Sequence, residues 1–393
     1  MAVVLSGRDF IVFSDDWGRH PFSCQHIMQH FLPHNRVLWV NTIGMRLPRF
    51  TMYDCKRAMG KLKSWMVKHD REAAPEGLHV ISPFMIPLSP IAAVRSFNRR
   101  SVVSSVERSM RDLGMKNPIL LATLPMASDF VGKVGESMVI YYCVDDFANW
   151  PDMNAGPMIL AMEDRLLDQA DLVVAVSDHL LMTRPARKGV TRLLTHGVEV
   201  GHFRQARIDR RPSELLASLP RPVIGFFGLL DNRMDWALVQ AILEQRPDWS
   251  VVFLGNAQVP LDRFSAYGNF IHVPAVPYAD LPRHAAGFDV AVLPYVVNRT
   301  TAGINPLKLK EYLALGLPVV TTALPGVMAF GDCLHVASEP EAFMKAVESA
   351  LAEGENQAGL ARLKGESWSE KAELLSSWIE EELAQVKPMQ AAS

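Results

Sequence analysis

The sequence predicts an α/β protein with two Rossmann-like, doubly wound parallel-sheet domains that face each other across a cleft. Three observations support this fold class. The 393 residues are too many for one hydrophobic core, which stops growing near roughly 250 residues. Short apolar runs alternate with helical patterns, as expected for parallel strands covered by helices on both faces. The alternation breaks off once and restarts, so each half builds its own sheet.

The first predicted domain covers residues 1–203 and contains buried strands. These are the apolar runs at residues 10–13, 37–40, 78–81, 119–122, 139–142 and 172–176. Ligands of open parallel sheets bind beyond the carboxyl ends of the strands. The polar residues that directly follow these runs are therefore the candidates for binding and catalysis.

The second predicted domain covers residues 222–365 and follows a polar, basic linker at residues 204–221. Its strands are the apolar runs at residues 223–227, 251–254, 270–273, 290–293 and 318–321. An amphipathic C-terminal helix within residues 366–393 comes after the last of these strands. We expect this helix to pack back on the first domain.

The composition narrows the class of protein. The hydrophobic fraction of 49% and the charged fraction of 21% are typical of a globular protein rather than a disordered chain. The sequence shows neither a signal-peptide pattern at its start nor a long apolar run, so we expect a cytoplasmic location. The cysteines at positions 24, 55, 143 and 333 lack the spacing of metal ligands, so we expect reduced thiols and no metal site.

Lysine and arginine are concentrated between residues 46 and 108, although the net charge of the whole chain is only −2. This asymmetry predicts an anionic partner for the first domain. Residues 46–71 interleave basic side chains with apolar ones such as Trp65, which fits peripheral binding to the inner face of an anionic membrane. A surface helix that simply packs on the core fits the same pattern. Nucleic acid is not expected, because the region contains no recognised nucleic-acid-binding module.

The segment from Asn305 to Glu311, with the sequence NPLKLKE, is the most informative motif. Pro306 suits the first turn of a helix, whose positive end would then carry the backbone N–H groups of Leu307 and Lys308. These groups and the Lys308 charge are suited to hold a diphosphate. Glu311 lies one turn further along the same face, where its carboxylate can accept hydrogen bonds from ribose hydroxyls. An ordinary amphipathic helix with exposed charges would show the same pattern.

This segment resembles the donor-site signature of the retaining glycosyltransferases of family four, which have the GT-B fold and use a nucleoside-diphosphate sugar. Further segments at residues 171–177, 196–203 and 288–294 match the family in order and spacing. The resemblance implies that the backbone amides of Leu307 and Lys308 meet the donor phosphates. It covers nearly all of the second domain and is looser in the first.

The sequence departs from the family signature at one position. The signature contains two glutamates separated by seven residues, and the resemblance makes Glu311 the second of them, on the ribose hydroxyls. The first falls at Gly303, which has no side chain to contact the donor sugar. Thr300, Thr301 and Asn305 are then the candidates for that contact.

A second motif follows the strand at residues 223–227, where Gly228 begins a turn and a helix is predicted to start near Arg233. Gly228 would let the backbone approach a phosphate, and Arg233 would neutralise the phosphate charge. In the resembled family this turn supplies cations to the diphosphate, which implies a catalytic role for Arg233 together with Lys308. A solvated arginine at a helix start fits the sequence as well.

Two turns of the first domain are predicted to lie at the carboxyl ends of strands. One contains Gly18 and resembles the family's opening glycine loop, with Trp17 and His20 as candidates for acceptor contacts. The other contains Asp145 and Asp146, at a position where the family binds the donor sugar and the acceptor, and we assign Asp146 a catalytic role. A metal site at this carboxylate pair is the alternative, but the two-sheet layout favours a reaction without metal.

Together these residues predict transfer of a sugar from a nucleoside-diphosphate sugar to an acceptor hydroxyl, with retention of configuration by resemblance and no cofactor. The expected partners are the nucleotide sugar and a sugar or lipid-linked acceptor, bound by the first domain, in polysaccharide or glycolipid assembly. Arg233, Lys308 and the helix N-terminus would stabilise the departing diphosphate. A nucleotide-sugar epimerase or hydrolase fits the same scaffold. A catalytically silent sugar-binding or scaffold subunit fits as well, and Gly303 favours it.

Overall fold

The computed structural model of the chain describes residues 4–18, 22–42, 75–86, 91–147, 156–209 and 211–390. The chain divides into two compact units. The first unit consists of Met1–Thr195 together with Ser369–Ser393, and the second consists of His196–Trp368. The basic stretch at residues 46–71 lies outside the described residues, as does His20.

The first unit contains a 7-stranded sheet in the order β3-β2-β1-β4-β5-β6-β7, and all its neighbouring strands are parallel. The strands are β1 (Asp9–Ser14), β2 (Arg36–Asn41), β3 (Leu78–Ile81), β4 (Ile119–Ala122), β5 (Met138–Cys143), β6 (Leu172–Ala175) and β7 (Val190–Leu193). Every residue of β4, β5 and β6 is buried, as apolar runs covered on both faces require. Strand β7 was not among the predicted strands.

Helices alternate with these strands. They are α1 (Ser23–Phe31), α2 (Ala92–Leu113), α3 (Gly156–Gln169) and α4 (Asp178–Thr183). Local signals fix several of the ends. Ser177 caps α4, because its side chain accepts a hydrogen bond from the Leu180 N–H, and Gly114 ends α2 in the left-handed conformation with φ 64°.

The second unit contains a 6-stranded sheet in the order β10-β9-β8-β11-β12-β13, again parallel throughout. The strands are β8 (Val223–Phe227), β9 (Ser250–Leu254), β10 (Phe270–Val273), β11 (Val290–Leu293), β12 (Val319–Thr321) and β13 (His335–Val336). Counted from its own first strand, this sheet has the same order as the first. The prediction of two Rossmann-like parallel-sheet domains is therefore confirmed, with β13 as an additional edge strand.

The helices of the second unit are α5 (Val200–Asp209), α6 (Glu214–Ser218), α7 (Trp236–Gln245), α8 (Leu281–Ala285), α9 (Arg299–Ala302), α10 (Leu307–Ala314), α11 (Pro340–Glu353) and α12 (Gln357–Ala361). Short 3₁₀ helices occur at Leu32–His34, Pro125–Asp129, Asp262–Phe264 and Pro325–Cys333. The last helix, α13, spans Trp368–Gln390 and belongs to the first unit from Ser369 onward.

The structure divides the chain after Thr195, earlier than the predicted linker at residues 204–221. The backbone pairing of Val198 explains the difference, since its N–H donates to the Glu366 carbonyl over 2.9 Å and joins it to the second unit. The predicted linker itself contains the end of α5 and all of α6. Leu216 of α6 is fully buried in the core of the second unit, so this stretch is a packed part of that unit.

From Ser369 onward, the C-terminal helix α13 belongs to the first unit and contacts it. The Leu5 N–H donates to Ser376 Oγ over 2.5 Å, and Lys371 Nζ donates to Thr195 Oγ1 over 3.0 Å. The Arg192 guanidinium of β7 lies 5.4 Å from the centre of the Trp378 ring. These contacts connect the end of the chain to its first residues and to the edge strand of the first sheet.

Candidate functional site

The N-terminus of α10 is built as the NPLKLKE motif predicts, with a shift of one residue. Pro306 is the N-cap residue, with φ −75° and ψ 109°, and the helix starts at Leu307. No side chain among the described residues caps this end, and the Leu309 N–H donates to the Pro306 carbonyl over 3.1 Å. The N–H groups of Leu307 and Lys308 therefore have no acceptor within the helix. Such an end binds anions through these N–H groups and the helix dipole.

The Lys308 side chain crosses from this helix to the end of β8. A Cβ atom placed on Gly228 would come within 2.5 Å of Lys308 Cε, so a glycine at position 228 is needed to make room for the lysine stem. The φ of Gly228 is +137°, which residues with a side chain rarely adopt. The two predicted residues are thus neighbours, and the space beside Gly228 holds the Lys308 side chain.

Tyr295 brings the two predicted cations to one place. Lys308 Nζ donates a hydrogen bond to Tyr295 Oη over 2.9 Å. The Arg233 guanidinium carbon lies 5.9 Å from the centre of the same ring, and Lys308 Nζ lies 5.5 Å from it. The Tyr295 side chain is 1% exposed, so it is a fixed support. Arg233 and Lys308 are therefore held on one aromatic ring.

Arg233 lies in the turn between β8 and α7, not at the start of a helix as predicted. Helix α7 begins at Trp236, and its N-cap Asp235 accepts from the Ala237 N–H. Asp231 fixes the position of Arg233, since its carboxylate lies 2.7 Å from Arg233 Nη2 and accepts the Arg233 backbone N–H over 2.9 Å. The side chain keeps 28% of its surface exposed. Arg233 is thus a partly exposed cation with a defined orientation.

Glu311 lies one turn along α10 from Lys308, beside a second carboxylate. Burial and the negative charge of Glu199 raise the pKa of Glu311 to about 7, while the Lys308 charge acts in the opposite direction. The Tyr278 hydroxyl is hydrogen-bonded to the Glu199 carboxylate, and burial is the main reason why the pKa of Tyr278 is raised. Donors such as ribose hydroxyls would satisfy the half-buried Glu311 carboxylate.

The residues near Gly303 differ in their availability for ligand contacts. Thr301 is fully buried, and its hydroxyl donates to the Val296 carbonyl over 2.6 Å. It also forms a capping box with Asn298 at the start of α9. Thr300 and Asn305 are half-buried. Of the three residues predicted to replace the missing glutamate, Thr301 has a structural role. Thr300 and Asn305 have part of their surface exposed to solvent and available to a ligand.

Lys310 has a different role from its neighbour Lys308. It is 2% exposed, and its ammonium donates to the His196 carbonyl and to the Glu366 carboxylate. The helix therefore directs Lys308 toward the ends of β8 and β11, and Lys310 into the interior of the second unit. Lys310 stabilises the fold and is not a surface charge.

The predicted residues of the first unit lie in two turns at the carboxyl ends of strands. Gly18 has φ +79°, and its N–H donates to Gln25 Oε1 over 3.3 Å. The Trp17 N–H donates to Asn41 Oδ1 over 3.0 Å, and the Trp17 ring packs edge-on against Trp39 at 4.8 Å. The turn after β1 is therefore held in place with Gly18 exposed.

Asp146 is part of a buried network of charges. Its carboxylate accepts from Arg184 Nη2 over 2.9 Å, and the same guanidinium donates to Glu163 over 2.7 Å. The Tyr141 hydroxyl completes the network with a hydrogen bond of 2.7 Å to Glu163, and burial is the main cause that raises the pKa of Glu163. Asp146 is 4% exposed, so a ligand at its carboxylate would compete with Arg184. Its catalytic role stays a prediction.

The neighbouring residues at this turn are more accessible than Asp146. Asp145 is half-buried, and its carboxylate accepts the Asp146 N–H over 2.8 Å. His179 Nε2 lies 3.6 Å from the other oxygen of Asp146, and 34% of the His179 side chain is exposed. A ligand at the end of β5 would therefore meet Asp145 and His179 before it reached Asp146.

Sequence reasoning missed Tyr295, Asp231 and Tyr278, and it gave Glu199 no role. Tyr295 directly follows the matched segment at residues 288–294, so an aromatic residue after the strand was the available signal. Glu199 lies within another matched segment. Asp231 lies two residues before Arg233 in the same turn, so its closeness in the sequence was the available signal, whereas the position of Tyr278 carries no sequence signal that we can name.

Two further findings concern the described part of the chain. Within it, no group of three or more His, Cys, Asp or Glu side chains is arranged to hold a metal ion. None of its helices is both long and apolar enough to cross a membrane.

Part of the chain is similar in sequence to known glycosyltransferases. Residues 221–353 match the family Glycosyl transferases group 1, and this range contains the predicted residues from Gly228 to Glu311. The putative teichuronic acid biosynthesis glycosyltransferase TuaH of Bacillus subtilis (strain 168) is 27% identical over 201 residues. That alignment covers 48% of this chain and 51% of TuaH, so it spans about half of the relative.

Solved structures resemble the whole chain. A trehalose-6-phosphate structure from E. coli bound with UDP-2-fluoro glucose has a TM-score of 0.65 at 13% identity, covering 95% of this chain and 99% of that one. HepE of Anabaena in complex with UDP-glucose has a TM-score of 0.61 at 11% identity, covering 98% and 100%. Sucrose-phosphate synthase from Thermosynechococcus elongatus has a TM-score of 0.61 at 16% identity, covering 98% and 100%.

The chain has the two-domain GT-B fold of these solved structures. Residues 221–353 form its glycosyltransferase group 1 segment. This agrees with the family resemblance predicted from the NPLKLKE motif at the level of GT-B glycosyltransferases.

Proposed function

We propose that the chain transfers a sugar from a nucleoside-diphosphate sugar to an acceptor hydroxyl, with the donor bound in the second unit. One observation carries the proposal. Arg233 and Lys308 are held on the Tyr295 ring, and Lys308 is also part of the uncapped N-terminus of α10. Two cations and a helix end thus form one anion-binding arrangement, with the Glu311 carboxylate one turn away.

The chemistry of this arrangement follows from the charge on the leaving group. During transfer, the bond between the sugar anomeric carbon and the diphosphate oxygen breaks, and negative charge develops on the diphosphate. A bond forms between the anomeric carbon and the acceptor oxygen, whose proton is lost. Arg233, Lys308 and the N–H groups of Leu307 and Lys308 would stabilise the developing charge without reorganisation. This requires neither a metal nor a cofactor, and we propose that none is used.

For the donor, we propose a uridine-diphosphate sugar bound as in a family-four enzyme that retains configuration. The solved neighbours in complex with UDP-glucose and UDP-2-fluoro glucose support the choice of base. The ribose hydroxyls would bind Glu311, and the phosphates would bind Lys308 and Arg233. The donor sugar would meet the half-buried Thr300 and Asn305, since Gly303 offers no carboxylate.

For the acceptor, we propose a sugar or lipid-linked intermediate of polysaccharide or glycolipid assembly, processed at the cytoplasmic face of a membrane. The similarity to a putative teichuronic acid biosynthesis glycosyltransferase supports this setting. The acceptor would bind in the first unit, near Gly18, Asp145 and Asp146. Residues 46–71 supply basic charge for contact with the membrane surface.

Calorimetric titration with uridine diphosphate and several nucleotide sugars tests the donor site. We expect Glu311→Gln and Arg233→Gln each to weaken binding by roughly tenfold or more, because each removes a hydrogen bond to a charged group. Glu341→Gln and Lys345→Met are matched controls, since these two residues form an exposed ion pair at the surface of α11. Unchanged affinity in both site variants would contradict the assignment.

Turnover separates the proposal from its alternatives. Release of nucleoside diphosphate that depends on an acceptor supports transfer. Conversion of the donor alone would indicate an epimerase or hydrolase. Tight donor binding without turnover across a broad panel of acceptors would indicate a silent sugar-binding subunit, the candidate that Gly303 favours.

A further inference from the structure

An open pocket of about 390 Å³ lies in the second unit, at the amino ends of β8 and β11. We call it the arginine pocket, and the lining residues that matter here are Arg207, Arg221, Pro222, Asp289, Leu351 and Glu355. Pro222 directly precedes β8, and Asp289 directly precedes β11. Gly228 and Tyr295 follow the opposite ends of these two strands, roughly 20 Å away at about 3.3 Å a residue. The arginine pocket is therefore separate from the proposed donor site.

Arg207 of α5 offers unused hydrogen-bond donors to this pocket. Its Nη1 donates to the Ala286 carbonyl over 2.9 Å and to the Phe288 carbonyl over 3.4 Å. Within the described part of the chain these are its only hydrogen bonds, so the N–H groups of Nε and Nη2 remain available. The Nε–H and Nη2–H groups of an arginine form a planar fork that binds two oxygens of a carboxylate or phosphate.

The charge of Arg207 is only partly compensated. The Asp289 carboxylate is paired with Arg221, and the Glu355 carboxylate is paired with Arg204. Each of these carboxylates therefore already has an arginine of its own. Burial is the main reason why the pKa of Arg207 is lowered, while the charges of Glu355 and Asp289 act in the opposite direction. Three arginines and two carboxylates thus lie together, and a ligand with one negative charge would balance them.

The other lining groups suit the hydroxyls and the ring of a sugar. The side chains of Asp289 and Glu355 are 28% and 38% exposed, and a carboxylate paired with arginine can still accept hydrogen bonds from hydroxyls. Pro222 and Leu351 make part of the lining apolar, so the C–H groups of a sugar ring can pack there. A bare inorganic anion would be repelled by the two carboxylates and would gain nothing from the apolar residues.

We propose that the arginine pocket binds an anionic sugar, namely a monosaccharide with one carboxylate or phosphate group. The Arg207 fork binds the anionic group. Asp289 and Glu355 accept hydrogen bonds from the hydroxyls, and the ring packs on Pro222 and Leu351. The surplus of one positive charge favours a uronate over a sugar phosphate, which carries more negative charge. The proposal does not rest on the proposed donor site.

Calorimetric titration of the full chain with anionic sugars tests the proposal. The probes are glucuronate, galacturonate, glucose 1-phosphate and glucose 6-phosphate, and the controls are glucose and inorganic phosphate. We expect at least one anionic sugar to bind roughly tenfold or more tightly than either control, because each control lacks either the charge or the hydroxyls. Stronger binding of the uronates would identify the carboxylate as the anionic group, and stronger binding of the sugar phosphates would identify the phosphate.

A parallel titration in excess uridine diphosphate separates this pocket from the proposed donor site. The affinity for the anionic sugar should be the same with and without the nucleotide. Competition between the two ligands would place the sugar in the donor site and overturn the proposal. If the nucleotide itself fails to bind, only the proposed donor site is contradicted, since the titration without nucleotide still reports on the arginine pocket.

Variants assign the binding to the pocket. Arg207→Lys keeps the positive charge without the planar fork and should weaken binding roughly tenfold, and Arg207→Met should weaken it further. Leu351→Trp narrows the pocket and leaves every charge in place, so it tests the same site if the Arg207 variants unfold. Arg246→Met removes an arginine that pairs with Glu348 on the same unit and is the matched control. Unchanged affinity in folded Arg207→Met or in folded Leu351→Trp would overturn the proposal. So would equal affinity for inorganic phosphate, or no binding of any of the four anionic sugars.

Discussion

Replacing Lys308 with methionine is the sharpest test of where the diphosphate binds. Methionine keeps the length of the side chain beside Gly228 and removes the charge. A hydrogen bond to a charged group contributes about 1.5–3 kcal/mol, so the variant should bind a nucleoside diphosphate roughly 10- to 150-fold more weakly. Tyr295 loses the partner that it contacts at 2.9 Å, which should cost about 1 kcal/mol of folding free energy.

The assay is calorimetric titration of the variant with uridine diphosphate and, separately, with uridine. Because uridine has no phosphates, its affinity should be the same for the variant and the native protein. Lys345→Met removes a lysine that pairs with Glu341 on the surface and is the matched control. Thermal unfolding of each variant checks that the second unit remains folded at the temperature of the titration.

Two results would refute the reasoning. An equal loss of affinity for uridine and uridine diphosphate would mean that Lys308 acts through the shape of the site around Gly228 and Tyr295 and not through its charge. Unchanged affinity for the diphosphate in a folded variant would mean that the phosphates bind elsewhere. Tyr295→Phe separates these effects further, since it removes the hydrogen bond to Lys308 and leaves the ammonium charge in place.

The other predictions concern three residues of the second unit. The pKa of Glu311 is raised to about 7 from an ordinary value near 4.5. The contribution of Glu311 to folding stability is therefore most favourable below pH 4.5 and is lost as the pH rises through 7. Glu311→Gln should unfold at a higher temperature than the native protein at pH 8 and at nearly the same temperature at pH 4. Nucleotide binding that uses the Glu311 carboxylate should strengthen from pH 6 to pH 8 in the native protein, and a titration of Glu311→Gln that kept this dependence would contradict the role. Gly228→Ala forces a left-handed φ on alanine and brings its Cβ within 2.5 Å of Lys308. We therefore expect chemical denaturation to show a free energy of unfolding lower by about 1–3 kcal/mol, together with weaker diphosphate binding. A free energy of unfolding equal to that of the native protein would show that the turn relaxes. Lys310→Met leaves the partly exposed Glu366 carboxylate without its buried partner and should lower the free energy of unfolding by about 2–4 kcal/mol. The nucleotide affinity of the folded protein should stay unchanged. A loss of nucleotide binding without a loss of stability would instead place Lys310 in the proposed donor site.

The polar contacts of the proposed donor site show where sequence reasoning stops. The spacing in the NPLKLKE motif is enough to place Leu307, Lys308 and Glu311 on one turn of a helix, because helical periodicity is local. It does not separate Lys308 from Lys310, since both are lysines on the same short helix. Their different roles depend on Tyr295 and Glu366, which come from other parts of the chain.

The edge strands show the same limit in the fold. The buried strands are predicted because continuous apolar runs report burial on both faces. Strands β7 and β13 contain partly exposed and polar residues, so their sequences carry no such signal. They are strands because the preceding strands, β6 and β12, offer backbone partners, and their own side chains do not report this pairing.

What the sequence determines by itself is therefore the pair of parallel-sheet domains and the helix end at Leu307 that we propose binds the diphosphate, since both follow from periodicity and from proline and glycine at fixed positions. The tertiary structure decides which charges remain available to a ligand. It pairs Asp146 with Arg184 and buries Lys310 against Glu366. The physical reason is that a charge is neutralised or exposed by residues brought near it through folding, and distance in the sequence carries no information about them.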